Sequence, residues 1–255
     1  SQCTFESGGF MKPKSQTLFH FTKNLDFVKN ILTDGFWPRY CLEDFSWYIH
    51  NIDYIAFPMV CFCDIPLSRI KEHVGFYGEY GVGVTKEWAI ANRLNPVSYL
   101  SRTSNYGSAV NNLFKNIDIT GQKAYYENAG FDLNMLLSHY KPLTGNMIIN
   151  GSSISKDFYQ ENEWRFVPQR IEISPWLTKS QFETLSLIDD ANSKTKNYSS
   201  LKLTPQDVRY IFVKSDSDIP EMINFIQSSL DHFSNVDLKI LMSRIVSLES
   251  ISEDL

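Results

Sequence analysis

Glu161-Asn162-Glu163-Trp164-Arg165-Phe166 sorts its charged and aromatic side chains with the two-residue period of a β-strand. Residues two apart project to the same side, roughly 6.5 to 7 Å apart. Glu161, Glu163 and Arg165 therefore share one face, and Asn162, Trp164 and Phe166 the other. Trp164 and Phe166 mark the expected core face, which leaves both carboxylates pointing into a cleft or into solvent. Around this strand, helical and extended patterns mix without regular βαβ alternation. The expected fold is α+β, with a curved, largely antiparallel, split β-sheet flanked by helices.

Working outward, Thr17-Leu18-Phe19-His20-Phe21 predicts a strand, and Leu25, Val28 and Leu32 predict a helix closed by Gly35. Arg39, Trp47, Tyr48 and Tyr54 describe an aromatic-rich packed loop. Met59 to Cys63 reads as a buried strand between Pro58 and the turn Asp64-Ile65-Pro66, and Leu67, Ile70 and Val74 as a short helix. From Tyr77 to Val84 glycine alternates with larger residues, a strand whose bare face admits a ligand or another chain segment. Thr85 is placed to cap a helix carrying Trp88 and Ile90, before a strand over Pro96 to Leu100. Residues from about 101 to 145 predict a helical insert. Asn192 to Ser200 reads as a mobile polar loop, Tyr210 to Val213 as a strand, Pro220 to Leu230 as a helix, and Leu238 to Ile251 as a closing strand.

Length and composition set the class. A chain of 255 residues, 43% hydrophobic and 21% charged, suits one large globular unit, expected over residues 17–255, with residues 1–16 disordered or peripheral. The longest apolar stretch, Ile55 to Cys63, is broken by Pro58 and falls far short of the about 20 residues that cross a bilayer, so no membrane association is expected. Residues 1–16 contain no apolar core of the kind a signal peptide needs. Four cysteines without CxxC spacing point to a reducing, cytoplasmic setting. Cys61 and Cys63 share a strand face, where His73 would be the third ligand of a metal site. Buried structural cysteine is the commoner outcome, and no metal is expected. A formal net charge of -5 excludes a global basic field for nucleic acid and leaves room only for a local basic groove.

Within this frame a few residues are equipped for chemistry. Neighbouring carboxylates raise the proton affinity of one member, which lets Glu161 and Glu163 take different roles. The bland alternative is a solvated strand edge with Arg165 neutralising a neighbour. His20 stands in an otherwise apolar strand, where a hydrogen-bonded structural role competes with ligand binding; Thr22 shares its face. Tyr77 and Tyr80 could form a flat platform for a ring, or simply pack with their hydroxyls exposed. Arg39 is suited to clamp a phosphate, or to pair with Glu43. The chain has no Walker sequence, Gly-rich phosphate loop or GxSxG elbow.

Three stretches together, LFHFTKNLDFVKNILTDGFWPRYCLED from Leu18, VCFCDIPLSRIKEHVGFYGEYGVGV from Val60 and YQENEWRFVP from Tyr159, resemble the AbiGi family of bacterial abortive-infection proteins, usually catalogued as antitoxins in phage resistance. The chain is also distantly similar to ADP-ribosyltransferase-like proteins, including DarT-type DNA-modifying toxins. In those, an early His or Arg, a middle Tyr or Ser and a late Glu-x-Glu act on NAD. This second resemblance implies an ADP-ribosyltransferase-like fold and NAD as substrate. It implies Glu163 at the ribose as the catalytic carboxylate, and Glu161 orienting the acceptor. NAD would be bound by His20, Thr22, Arg39 and Tyr77, with Tyr80 as the alternative tyrosine. The implied partners are a nucleic-acid or protein acceptor and a cognate toxin or antitoxin. Two functions follow: an NAD-dependent ADP-ribosyltransferase or NAD glycohydrolase in phage defence, or a non-catalytic antitoxin or binding module that neutralises a partner toxin.

Overall fold

The apolar spacing around Leu18 and Leu25 produces the elements it predicts: β1 (Thr17–Thr22), then α1 (Leu25–Asp34), whose first turn is capped by the Asn24 side chain accepting from the Phe27 N–H. Gly35, at φ 83°, ends α1 in a conformation that favours glycine, and a Cβ there would collide with the Leu201 carbonyl. The computed structural model describes residues 15–47, 52–116, 130–149 and 152–252. The expectations for residues 1–14, Tyr48 and residues 117–129 lie outside them.

β2 (Arg39–Asp44) and β3 (Tyr54–Cys63) pair antiparallel over Arg39 to Asp44, where the sequence suggested an irregular aromatic loop. Pro58 is tolerated within the ten-residue β3 because it pairs only with Tyr40 of β2: the other edge of β3 is paired at Ile55–Ala56 and at Val60–Cys63, with no ladder partner at Pro58 itself. α2 (Ile70–Tyr77) runs three residues past the expected Val74, so Tyr77 is a helix terminus and not a strand residue. Gly78, at φ 125°, then turns the chain into β4 (Tyr80–Thr85). Thr85 caps α3 (Lys86–Ala91), as predicted, with Oγ1 accepting from the Trp88 N–H at 3.1 Å. The expected strand over Pro96 to Leu100 divides into β5 (Asn95–Pro96) and β6 (Ser98–Leu100), which belong to different sheets.

In the insert region, α4 (Tyr106–Asn116) and α5 (Gly130–Ser138) are helical. They are framed by β6 and β7 (Tyr140–Pro142), a parallel pair. A hairpin of β8 (Thr144–Ile149) and β9 (Ser152–Asp157) follows. β10 (Glu163–Phe166) is shorter than expected, because Phe158–Glu161 is a single 3-10 turn and Asn162 takes a left-handed φ of 43°.

Downstream lie β11 (Leu177–Thr178), α6 (Lys179–Glu183), α7 (Leu185–Ser199), β12 (Val208–Val213), α8 (Ile219–Ser229), α9 (Asn235–Met242), β13 (Ile245–Ser247) and α10 (Leu248–Ser252). Two expectations fail here. The polar loop over Asn192 to Ser200 is the second half of α7. Its polar side chains serve the edge of β2: Asn192 accepts the Tyr40 N–H at 3.1 Å and Thr195 donates to the Pro38 carbonyl at 2.5 Å. The closing strand over Leu238 to Ile251 is mostly helix, with only Ile245–Ser247 extended.

The main sheet runs β13-β12-β4-β1-β3-β10-β5. Every neighbouring pair is antiparallel except β12 with β13, which fits the mixed α and β, largely antiparallel expectation. β1 and β3 are registered through a single residue pair, Phe19 with Cys63. Both faces are covered. Leu18, Phe62, Val82 and Val84 pack with α1, α3, α8 and α9 on one side. Phe19, Phe21, Cys63 and Phe212 pack around Ile70 of α2 on the other.

Candidate functional site

The strand reading of Glu163-Trp164-Arg165-Phe166 survives, but its faces are assigned differently. Trp164 and Phe166 are half-buried against the first core, whereas Glu163 and Arg165 are 5% and 0% exposed. The charged face is thus the deeper one. β10 pairs Glu163 with Cys63 and Arg165 with Cys61, so its charges lie over the thiol face of β3, and β7 and β9 bring lysines over them. Glu161 is not on the strand. The left-handed Asn162 turns the chain so that the Glu161 carboxylate returns to the same buried side, 4% exposed.

The result is a chain of alternating charge. Glu43 grips the Arg165 guanidinium with both oxygens, at 2.5 and 2.9 Å. Arg165 Nε donates to Glu163 Oε1 at 2.7 Å, and Nη1 to the Ser138 carbonyl at 2.6 Å. Lys141 Nζ then bridges Glu163 Oε2, at 2.5 Å, and Glu161 Oε2, at 3.1 Å. Glu161 Oε1 accepts from Lys156 and from the Tyr77 hydroxyl, and Lys156 also reaches that hydroxyl at 3.1 Å. The three carboxylates and three cations balance, so no net charge is buried. Both lysines are also packed: Lys141 lies 4.5 Å over Phe158, and Lys156 lies 4.1 Å over Phe76.

Ionisation follows from these contacts. Burial pushes the Glu163 carboxyl up, but Arg165 and Lys141 outweigh it and hold it far below the usual carboxylate range. Burial is likewise outweighed at Glu161 by Lys141, Lys156 and Tyr77, and its carboxyl is held low. Lys141 is raised because Glu163 and Glu161 overcome its desolvation, whereas at Lys156 desolvation wins and the amine is lowered. Burial and the adjacent Glu161 push the Tyr77 phenol far up, and burial brings His73, stacked 4.5 Å from Tyr77, down to about 4. A cleft of about 310 Å3 opens beside this chain, lined by Glu43, Tyr77, Arg102, Lys141, Asn146 and Phe158.

The structure brings together Tyr77, Glu161 and Glu163 and separates them from the other sequence candidates. His20 stands on the opposite face of the sheet, its ring 5.2 Å from Phe36 and 5.6 Å from Phe62, with Nδ1 bonded to the Cys61 carbonyl at 2.8 Å. Thr22 and Tyr80 pair across β1 and β4 on that same far face, and the Tyr80 hydroxyl leans toward Asp218 at 3.4 Å. Arg39 is exposed and stacks 4.1 Å over Trp37; the partner of Glu43 is Arg165 instead. The bare face of β4 is filled from within, because Gly81 and Gly83 make room for the rings of Phe21 and Phe19. The residues matched to NAD therefore do not form one pocket in this fold. Cys63, buried, and Cys61, half-buried, lie beside the carboxylates as thiols with raised pKa values, and among the described residues no group of three His, Cys, Asp or Glu side chains could hold a metal. Lys141 and Lys156 escaped the sequence reading because nothing local marks them; only the fold brings them to Glu161.

No helix among the described residues is long and apolar enough to cross a membrane. No solved structure matches the chain. It is 29% identical over 260 aligned positions to "Abortive phage resistance protein AbiGi" of Lactococcus lactis subsp. cremoris, covering 86% of this chain and 99% of that protein. Residues 34–214 match the family model described as "Putative abortive phage resistance protein AbiGi, antitoxin", a span that contains the whole alternating ion chain. The protein belongs to the AbiGi family of abortive phage resistance proteins.

Proposed function

We propose that this chain acts in abortive phage resistance as a non-catalytic antitoxin, neutralising a partner toxin by binding it. The observation that carries this reading is the saturation of Glu161 and Glu163. All four of their carboxylate oxygens accept from a cation of the same chain. A carboxylate that stabilises a sugar cation needs an oxygen free to face it. The family description as an antitoxin supports the same reading.

A second reading, ADP-ribosyltransferase-like cleavage of NAD with transfer to a nucleic-acid or protein acceptor, draws on one observation. Tyr77 and Lys141, two of the three direct partners of Glu161, line the 310 Å3 cleft. That reading requires the lysines to release the carboxylates, and it loses His20, Thr22 and Arg39 as NAD contacts.

Two measurements separate the readings. The chain is expected to release no nicotinamide from labelled NAD, with or without single-stranded DNA, RNA or cell extract. Its induced expression alone is expected to leave bacterial growth unimpaired. Nicotinamide release, or growth arrest, that disappears in Glu163→Ala would overturn the antitoxin assignment.

A further inference from the structure

A groove of about 730 Å3 lies at the β5 edge of the sheet, and among the described residues no carboxylate lines it. Arg93 and Arg170 both line it, both are exposed, and neither has an ion-pair partner among the described residues. In a chain of net charge -5, two arginines left without a carboxylate are a local reversal of sign.

The backbone at Arg93 adds an independent observation. α3 ends in a left-handed turn in which the Leu94 N–H returns to the Ala89 carbonyl at 2.9 Å and the Arg93 N–H to the Ile90 carbonyl at 3.0 Å. The residue in the left-handed position, where glycine is usual, is Arg93, at φ 62°. The sequence thus accepts an unfavourable backbone conformation to place a guanidinium over the groove. The same lining includes the amides of Asn92, Asn95 and Gln169, apolar Phe166 and the exposed Leu136.

We infer that this groove binds an acidic peptide segment of a partner protein, two of its carboxylates pairing with Arg93 and Arg170. The inference rests on the reading of the chain as a binding protein and assigns the surface it uses. Guanidinium forks suit carboxylates, side-chain amides suit a peptide main chain, and Leu136 and Phe166 suit the apolar residues between. A nucleic acid would extend its phosphates from the groove over a protein of like, negative net charge, which removes the long-range attraction such binding depends on. A peptide needs complementarity only within the groove.

The test is selection of a random peptide library on the immobilised full chain, in parallel with the double variant Arg93→Gly, Arg170→Ala. Glycine is favoured at the backbone angle of Arg93, so this variant removes the charges without straining the fold. Peptides selected on the wild type are expected to be enriched in Asp and Glu and to bind the double variant about a hundredfold more weakly, about tenfold per lost ion pair. Selected peptides without acidic bias, equal binding by a correctly folded variant, or tighter arginine-dependent binding of labelled oligothymidylate would each overturn the inference. The outcome is separable from that of the NAD assay: nicotinamide release would sink the antitoxin reading without touching peptide binding, and failed peptide selection would leave the antitoxin reading with another surface to find.

Discussion

Arg165 and Arg93 lie on either side of one sheet edge and differ in almost everything that surrounds them. Arg165 is fully buried and held by Glu43, Glu163 and the Ser138 carbonyl. Arg93 is exposed, lines a groove in which the described residues include no carboxylate, and sits in a left-handed turn. A buried charge must be matched in place, because an unmatched ion in the interior costs several kcal/mol. An exposed charge can stay unmatched at little cost, and its partner can come from another molecule. The contrast teaches that the charged run Glu161 to Arg165 belongs to the scaffold, while the surface suited to recognition uses residues that form no motif.

The largest effect should come from breaking the buried side. Arg165→Met leaves Glu43 without a cation and Glu163 with Lys141 alone. A loss of about 3–5 kcal/mol is expected from urea unfolding, because an uncompensated charge remains in the interior. Adding Glu43→Gln to Arg165→Met should recover part of that loss by removing the stranded anion. If Arg165→Met shifts stability by less than about 1 kcal/mol, the ion chain is not the tightly matched interior feature described above.

The sequence put Glu161, Glu163 and Arg165 on one strand face, and it could not show on which side of the surface that face lies. Alternation assigns a strand two faces, and the aromatic one is ordinarily the inner one. Here both faces are inner, because Lys141 and Lys156 arrive from β7 and β9 with balancing charge. No local pattern announces such a match. Elements set by local spacing were legible: β1 and α1 from Leu18, Leu25 and Val28, the Thr85 cap, and a strand over Tyr210 to Val213 that begins two residues earlier, at Val208. Elements set by tertiary partners were not. α7 looked like a loop because Asn192 and Thr195, poor interior helix formers, are held there by backbone groups of β2 and Pro38. For His20 the sequence left a hydrogen-bonded structural role and ligand binding both open, and its Nδ1 partner is the Cys61 carbonyl on the neighbouring strand.

A smaller effect should appear on lowering the pH. Burial holds His73 neutral down to about 4, against 6.5 for the free side chain. Between those values the unfolded chain binds a proton that the folded chain refuses, so stability falls as pH drops from about 6.5 and levels off for this group below about 4. The shift corresponds to up to about 3 kcal/mol. His20 is displaced in the same direction by burial and adds to the slope. Glu161 and Glu163, whose pKa values are depressed, supply stability that is present at neutral pH and lost only at still lower pH. Unfolding curves between pH 7 and 4 should show His73→Phe with a shallower fall than the wild type. Equal slopes would place the acid sensitivity elsewhere.

The smallest effect should have the opposite sign to the first. A non-glycine residue in the left-handed region costs about 1–2 kcal/mol, and glycine returns roughly half to all of that as lost chain entropy, about 0.5–1 kcal/mol. Arg93→Gly should therefore leave the protein equally stable or more stable by up to about 1 kcal/mol, and Arg170→Ala should change it by less than about 0.5 kcal/mol. Thermal unfolding of the two variants measures this directly. If Arg93→Gly instead destabilises the fold by more than about 1 kcal/mol, the guanidinium is bound by the protein itself, and Arg93 belongs with Arg165 on the scaffold side of the comparison. Neutral or improved stability would mean that the arginine is kept at this angle for something outside the fold, which is the condition a docking residue must meet.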